Sequence, residues 1–241
     1  MIRYIIPVFF TLTVYAQHTS SDFKDAVATG PFPLYFGVGY ANSFRNQDFY
    51  DVGKEFASYY NAETNPSTRL YGLLLFTGFS YIPENAKVSL GIEVKHLWLT
   101  RTMHIDDRWF KLTSQQTSFG LGIRRAFFPI VVQIQGSVIL NYKRTYEFDL
   151  GADEKSVDFK SPFCGWNTLL RIGILDPAGT EGGLGVYFET GFNWLTKNNN
   201  DQLTQAIQLF NDGYSESSDS IGRYGYISFG LLLPIAIRIK G

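Results

Sequence analysis

From Leu34 onward the chain alternates apolar and polar side chains with a period of two, the pattern of a strand with two unlike faces. The stretch from Lys87 to Thr100, "KVSLGIEVKHLWLT", puts Val88, Leu90, Ile92, Val94, His96 and Trp98 on one face and Ser89, Gly91, Glu93 and Lys95 on the other. A helix would spread positions 93 and 95 to separate parts of its surface, whereas a strand keeps them together. Eight such segments recur, at 34–41, 69–81, 87–102, 112–125, 130–149, 156–175, 184–196 and 223–237. Short connections, "IPENA", "AFFP" and "DPAGTEGG", alternate with longer stretches that include 42–68 and 197–222. Short on one side and long on the other predicts an antiparallel up-and-down order, with ten strands only if a loop hides a hairpin.

The composition of the two faces decides between a soluble sandwich and a barrel with a lipid-facing exterior. The seventh segment sets Leu184, Val186, Phe188, Phe192 and Trp194 against Gly185, Tyr187, Glu189, Gly191 and Asn193. The fifth sets Val132, Ile134, Val138, Leu140 and Tyr142 against Gln133, Gln135, Ser137 and Asn141. A face washed by water would be rich in Lys, Glu and Thr, while Gly, amides and a few charges suit a crowded lumen. Tyr35, Tyr40, Tyr71, Tyr81, Trp98, Tyr142, Trp166, Trp194 and Tyr224 lie near segment ends and are expected in two interfacial girdles. The expected fold is therefore all-β: an eight-stranded antiparallel up-and-down transmembrane β-barrel over 34–241, with protruding extracellular hairpins. An eight-stranded barrel is filled by side chains rather than open.

Composition refines this picture. The 241 residues are 45% hydrophobic and 17% aromatic, which argues for an ordered chain. Residues 1–16, "MIRYIIPVFFTLTVYA", read as a secretory signal peptide, and 17–33 as a periplasmic segment. No later run reaches the roughly 18 consecutive apolar residues of a membrane helix. The lone Cys164 cannot form an intramolecular disulfide. Losing Arg3 with the signal takes the net charge from −1 to −2, so no basic field points to nucleic acid. The expected address is the bacterial outer membrane.

With signal, alternation and loop asymmetry in place, the chain from Leu34 to Ile237 resembles the small eight-stranded outer-membrane barrels, the OmpX and Ail type and the membrane domain of OmpA. A secretion-associated barrel of the PorT type is a second resemblance by size and class. Such proteins usually end on an aromatic residue, but this chain ends "PIAIRIKG", with Phe229 its last aromatic. Either that signal is degenerate or the last residues form a periplasmic tail.

Several constellations bear on function. If "DPAGTEGG" closes the sixth and seventh strands, position 171 falls opposite 189, so Arg171 and Glu189 pair across the ladder. Glu93, Lys95 and Arg124 would extend this pair into the kind of lumen network that the OmpA-like resemblance implies. A structural plug is the leading expectation for it, and a gated narrow conduit the alternative. The third-fourth and fifth-sixth hairpins, turning near Ile105 to Arg108 and Gly151 to Glu154, exceed the roughly 9–11 residues needed to cross. Projecting as a ribbon, they would offer a partner a sheet edge and the aromatics Trp109, Phe110, Tyr146 and Phe148, unless they are long loops with no role.

"NNNDQLTQAIQLFNDG" has Leu203, Ala206, Ile207 and Phe210 at helical spacing, with Asn200 as cap and Gly213 as stop. "DVGKEFASYYN" predicts a second helix with Val52, Phe56 and Tyr59 or Tyr60 on one side. Such helices either lid the mouth or dock to a neighbour, and Phe210 joins the partner-binding candidates. His104 with Asp106 and Asp107 is similar to the acid and histidine pairs of omptin-type proteases, yet all three crowd one hairpin tip. His96 beside Thr117 would suit a lipid acyl hydrolase, without any G-x-S-x-G signature. No catalytic residue, metal or cofactor is expected. The expected partners are outer-membrane lipids and other outer-membrane or surface proteins. The expected function is non-enzymatic binding through loops and hairpins, as an accessory subunit of a secretion or assembly complex or an adhesin-like protein. A narrow solute channel and a lipid or peptide hydrolase are the alternatives.

Overall fold

The computed structural model describes residues 33–81, 88–127, 130–175, 184–195, 200–215 and 223–236. The signal peptide, nearly all of the periplasmic segment and the last five residues thus lie outside the described residues. Eight antiparallel strands close one ring in chain order: β1 (Pro33–Phe44), β2 (Tyr71–Tyr81), β3 (Ser89–Ile105), β4 (Arg108–Phe127), β5 (Ile130–Asp149), β6 (Glu154–Leu175), β7 (Gly185–Leu195) and β8 (Arg223–Ala236). The seam is β1 against β8, paired from Pro33↔Ala236 to Phe44↔Gly225. Closure satisfies the strand-edge backbone groups that lipid could not.

The faces separate as the alternation predicts. On β3, Leu90, Ile92, Val94 and Trp98 are exposed while Glu93 and Lys95 are buried. The outward set continues through Phe119, Leu121 and Ile123 on β4, Ile134 on β5, Trp166 and Ile172 on β6, Phe188 on β7 and Phe229 on β8. A continuous apolar belt around a closed sheet is the inverse of a soluble protein, and it is the surface that lipid covers. Tyr40, Tyr81, Trp98 and Trp166 are exposed on this face, and Tyr71 and Trp194 are half-buried on it. Tyr35, Tyr142 and Tyr224 are a correction: all three point inward and are buried.

For Tyr142 the cause is a bulge. The β4 ladder passes from Ser118↔Ile139 to Thr117↔Asn141, leaving Leu140 unpaired in β5. One extra residue inverts which positions face inward. Below it Gln133, Gln135 and Ser137 are buried; above it Tyr142, Arg144, Tyr146 and Phe148 are. On β6 the matching irregularity falls between Pro162 and Gly165, where Phe163 adopts a left-handed φ of 47° and its side chain is 72% exposed.

β2 stops pairing with β3 at Thr100, and β7 stops pairing with β6 at Gly165. β3 to β6 continue past both points as a curved four-stranded ribbon on the long-loop, extracellular side. Two helices cover its concave side. The first, α1 (Gln47–Tyr59), starts where Asn46 Oδ1 accepts from the Phe49 N–H at 3.2 Å, and the chain leaves it with Asn61 in the left-handed region, φ 56°. The second is α2 (Asn200–Gln208). Phe49 and Phe56 of α1 and Phe210 after α2 pack on the ribbon: Phe49 lies 5.1 Å from Phe110, Phe56 5.3 Å from Phe210, and Phe148 5.1 Å from both Phe110 and Phe210.

Phe110, Tyr146, Phe148 and Phe210 therefore do not present the partner surface expected of them. They form a second apolar core above the membrane, because the two helices fill the ribbon's hollow. Each ring buried there contributes about 1.5–3 kcal/mol. Trp109 alone of the five stays on the outer face, half-buried beside His104 at the hairpin tip.

Candidate functional site

The lumen holds two polar layers. In the lower one, register sets Arg171 opposite Glu189. Arg171 Nε donates to Glu189 Oε2 at 2.7 Å, while its two terminal nitrogens donate to Glu93 at 2.5 and 3.0 Å. Lys95 Nζ donates to Asn167 Oδ1 and to the Tyr226 hydroxyl, each at 2.6 Å, and lies 3.5 Å from Glu189 Oε1. Tyr226 passes its own proton toward Glu189 at 2.5 Å. Gln133 and Gln135 donate to Glu93 at 3.3 and 3.4 Å. Two carboxylates thus meet two cations, all four essentially without solvent exposure. A buried charge requires such pairing, since an unpaired ion loses its hydration without return.

Arg124 faces the same lumen but stands apart from these ion pairs, with its guanidinium 4.8 Å from the centre of the Tyr35 ring. The glycines of the inner face make room for rings. A Cβ on Gly191 would come within 2.4 Å of the Tyr226 ring, and one on Gly37 within 1.9 Å of Phe76, whose ring carries the Arg171 guanidinium at 3.4 Å. Gly191→Val is expected to displace Tyr226 from Lys95 and Glu189 and to cost about 1–3 kcal/mol, the usual penalty of overpacking. A fall in the urea midpoint of the folded barrel checks it, and an unchanged midpoint would show that the ring has space to spare.

The upper layer went unseen in the sequence. Arg144, carried inward by the β5 bulge, pairs with Asp48 in the first turn of α1, and both side chains are buried. Its Nε donates to the Tyr142 hydroxyl at 3.0 Å and one terminal nitrogen to the Tyr146 hydroxyl at 3.3 Å. The available signal was the even-numbered run Tyr142, Arg144, Tyr146, Phe148, which has the composition of a buried face. Between the layers, Gln116 donates to Asn193 at 2.7 Å and accepts from Tyr224 at 2.9 Å. Side chains therefore fill the lumen from the charge cluster to the helix cap.

The catalytic candidates fare differently from one another. His96 Nδ1 lies 2.9 Å from Thr117 Oγ1 on the outer wall, and among the described residues no carboxylate hydrogen-bonds to either. His104 is exposed opposite Trp109; Asp106 holds the tight turn at φ 53°, and Asp107 pairs with Arg108 at 3.6 Å. Among the described residues no group of three potential ligands is placed to hold a metal ion.

A closed eight-stranded ring, an apolar exterior and a polar, charge-paired interior define an outer-membrane β-barrel of the bacterial type. No protein-family model and no curated protein matches the chain. Among solved structures it is similar to Ail, the attachment invasion locus protein of Yersinia pestis, in complex with the heparin analogue sucrose octasulfate, with a TM-score of 0.48 and 9% identity over 85% of this chain and 99% of that one. It is also similar to Neisserial surface protein A, with a TM-score of 0.38 and 11% identity over 84% and 96% of the two chains. The outer membrane protease OmpT of Escherichia coli gives a TM-score of 0.38 and 10% identity over 85% and 96%. Likeness at these scores transfers no function, and the class rests on the ring and its lipid-facing belt.

Proposed function

We propose that the protein is a non-enzymatic, non-conducting barrel that offers its extracellular ribbon to a protein partner, as an accessory subunit of an outer-membrane secretion or assembly complex or as an adhesin-like surface protein. The observation that carries this reading is the edge of β6. From Glu154 to Pro162 the strand is laddered, among the described residues, to β5 alone, because β7 joins only at Gly165. Such an edge accepts an added strand from another chain. The helices behind the ribbon favour this role, since a buttressed edge loses little freedom on binding. Lys155, Asp158, Lys160 and Pro162 along the edge disfavour indiscriminate pairing and select a partner with matching charges.

Two observations weigh against the other functions. The lumen's ions are paired and its mouth is filled by α1, which disfavours a solute path. Among the described residues the His96 and Thr117 pair lacks the carboxylate that would orient a catalytic histidine.

A photo-crosslinking residue at Ser156, on the β6 edge, is expected to trap one defined partner in intact cells, while the same residue at Glu63, in the β1–β2 connection, does not. Equal trapping at both sites, or none at Ser156, would sink the edge as the binding surface. In planar bilayers the purified chain is expected to give no regular current steps, and a steady open state would favour the channel instead.

A further inference from the structure

On the outer wall of β4, β5 and β6 the apolar belt gives way to polar side chains that share rungs of the ladder. Thr117 pairs with Asn141, and one alternation higher Gln115 pairs with Lys143, which in turn pairs with Lys160. Two lysines thus stand directly opposite each other on neighbouring strands, an arrangement that costs stability through like-charge repulsion. One carboxylate answers them: Asp158 Oδ2 lies 2.8 Å from Lys143 Nζ, and its Oδ1 accepts from Thr145 at 2.7 Å. Lys160 enters no salt bridge among the described residues, so two cations face a single anion. The neighbouring pair on this wall, Lys111 with Glu147 at 2.5 Å, is neutral by itself.

The height of the pair decides what anion could reach it. Phe163, 72% exposed, is the uppermost exposed large apolar side chain on β6, next to the exposed Pro162 and with Trp166 below it. Lys160 follows three residues further on, roughly 10 Å along a tilted strand and less in height. Headgroups extend roughly 5–7 Å beyond the hydrocarbon on each side, and a lysine stem can reach down to them. An amphiphile seated here would lay its chains on Phe163 and Trp166 and put its headgroup at the two ammonium groups.

We propose that Lys143 and Lys160 form an outer-leaflet lipid site, holding the phosphate of a phosphorylated lipid headgroup against the β5–β6 wall. The phosphate supplies the negative charge that Asp158 alone does not, and the amides of Asn141 and Gln115 flank it as donors. This site shares Lys160 and Asp158 with the β6 edge proposed for the protein partner, but it uses their side chains on the outer wall and not the backbone groups of the edge.

The test uses the full mature chain in phosphatidylcholine nanodiscs containing phosphatidic acid, with retained lipids counted by native mass spectrometry. The wild type is expected to retain phosphatidic acid in preference to phosphatidylcholine. Lys143→Gln and Lys160→Gln each lower that preference about fivefold, and the double variant more than tenfold. Asp158→Asn, which removes the competing carboxylate, raises it, while Lys111→Gln leaves it unchanged. All four positions are on the outer surface, and unheated gel mobility verifies that the barrels are folded. An undiminished preference in the double variant overturns the proposal. So does release of the lipid by millimolar inorganic phosphate, which would mark a site for the free anion.

Discussion

Arg171→Ala destabilises the barrel by about 3–5 kcal/mol, the cost of leaving buried charge without its partner. The substitution strips Glu93 of two hydrogen bonds and Glu189 of one, and both carboxylates are buried. Lys95 compensates little, because its ammonium is already shared among Asn167, Tyr226 and, at 3.5 Å, Glu189, and among the described residues it makes no ion pair with Glu93. Urea unfolding in detergent, followed by the gel mobility of unheated samples, measures the loss. A variant replacing all four ions together, E93Q, K95M, R171M and E189Q, is expected to lose far less than the single change, although it removes more interactions. That contrast separates a penalty for broken pairing from a net gain supplied by the network. If Arg171→Ala stays within about 1 kcal/mol of the wild type, the cluster is not what fixes the interior.

Most of the transmembrane wall was legible because its two faces differ sharply in composition. The Arg171 and Glu189 register followed from counting outward along two strands from one short connection, which needs only an unbroken alternation. The same counting failed on β5. The even positions Val132, Ile134 and Val138 face lipid, and Tyr142, Tyr146 and Phe148 continue the apolar pattern, so the sequence reads as one outward face interrupted at Arg144. The bulge at Leu140 moves that face from outside to inside, and where both halves of a period-two pattern are otherwise apolar the phase change is marked only by a charge such as Arg144. The core positions of Phe110 and Phe210 are hidden in the sequence for a related reason. Amphipathicity shows that a face must be covered but not what covers it, and here each hairpin and helix supplies the cover for another. The lysine rung was illegible for want of register, since Lys143 and Lys160 meet only once the irregularities on both strands are counted.

Arg144→Ala is the second large effect, and it should be local. The residue ties the first turn of α1 to the inner wall of β5 through Asp48, Tyr142 and Tyr146, so its loss leaves Asp48 buried without a cation. The cost is again about 3–5 kcal/mol, but it falls on the docking of one helix rather than on the ring. Amide exchange over residues 47–59 is expected to quicken while exchange in the β1–β8 seam stays slow. Arg144→Lys should rescue only partly, because an ammonium keeps the charge but lacks the planar fork that reaches Asp48 and both tyrosine hydroxyls at once. Replacing both partners, as D48L with R144M, should restore slow exchange if the apolar contacts of Phe49, Val52 and Phe56 are sufficient to seat the helix. The remaining possibility is decided by current. With α1 undocked, the mouth loses its plug while the Arg171 layer below remains, so Arg144→Ala should still conduct no ions. Conductance appearing in this variant alone would show that the helix, and not the charge cluster, is the seal.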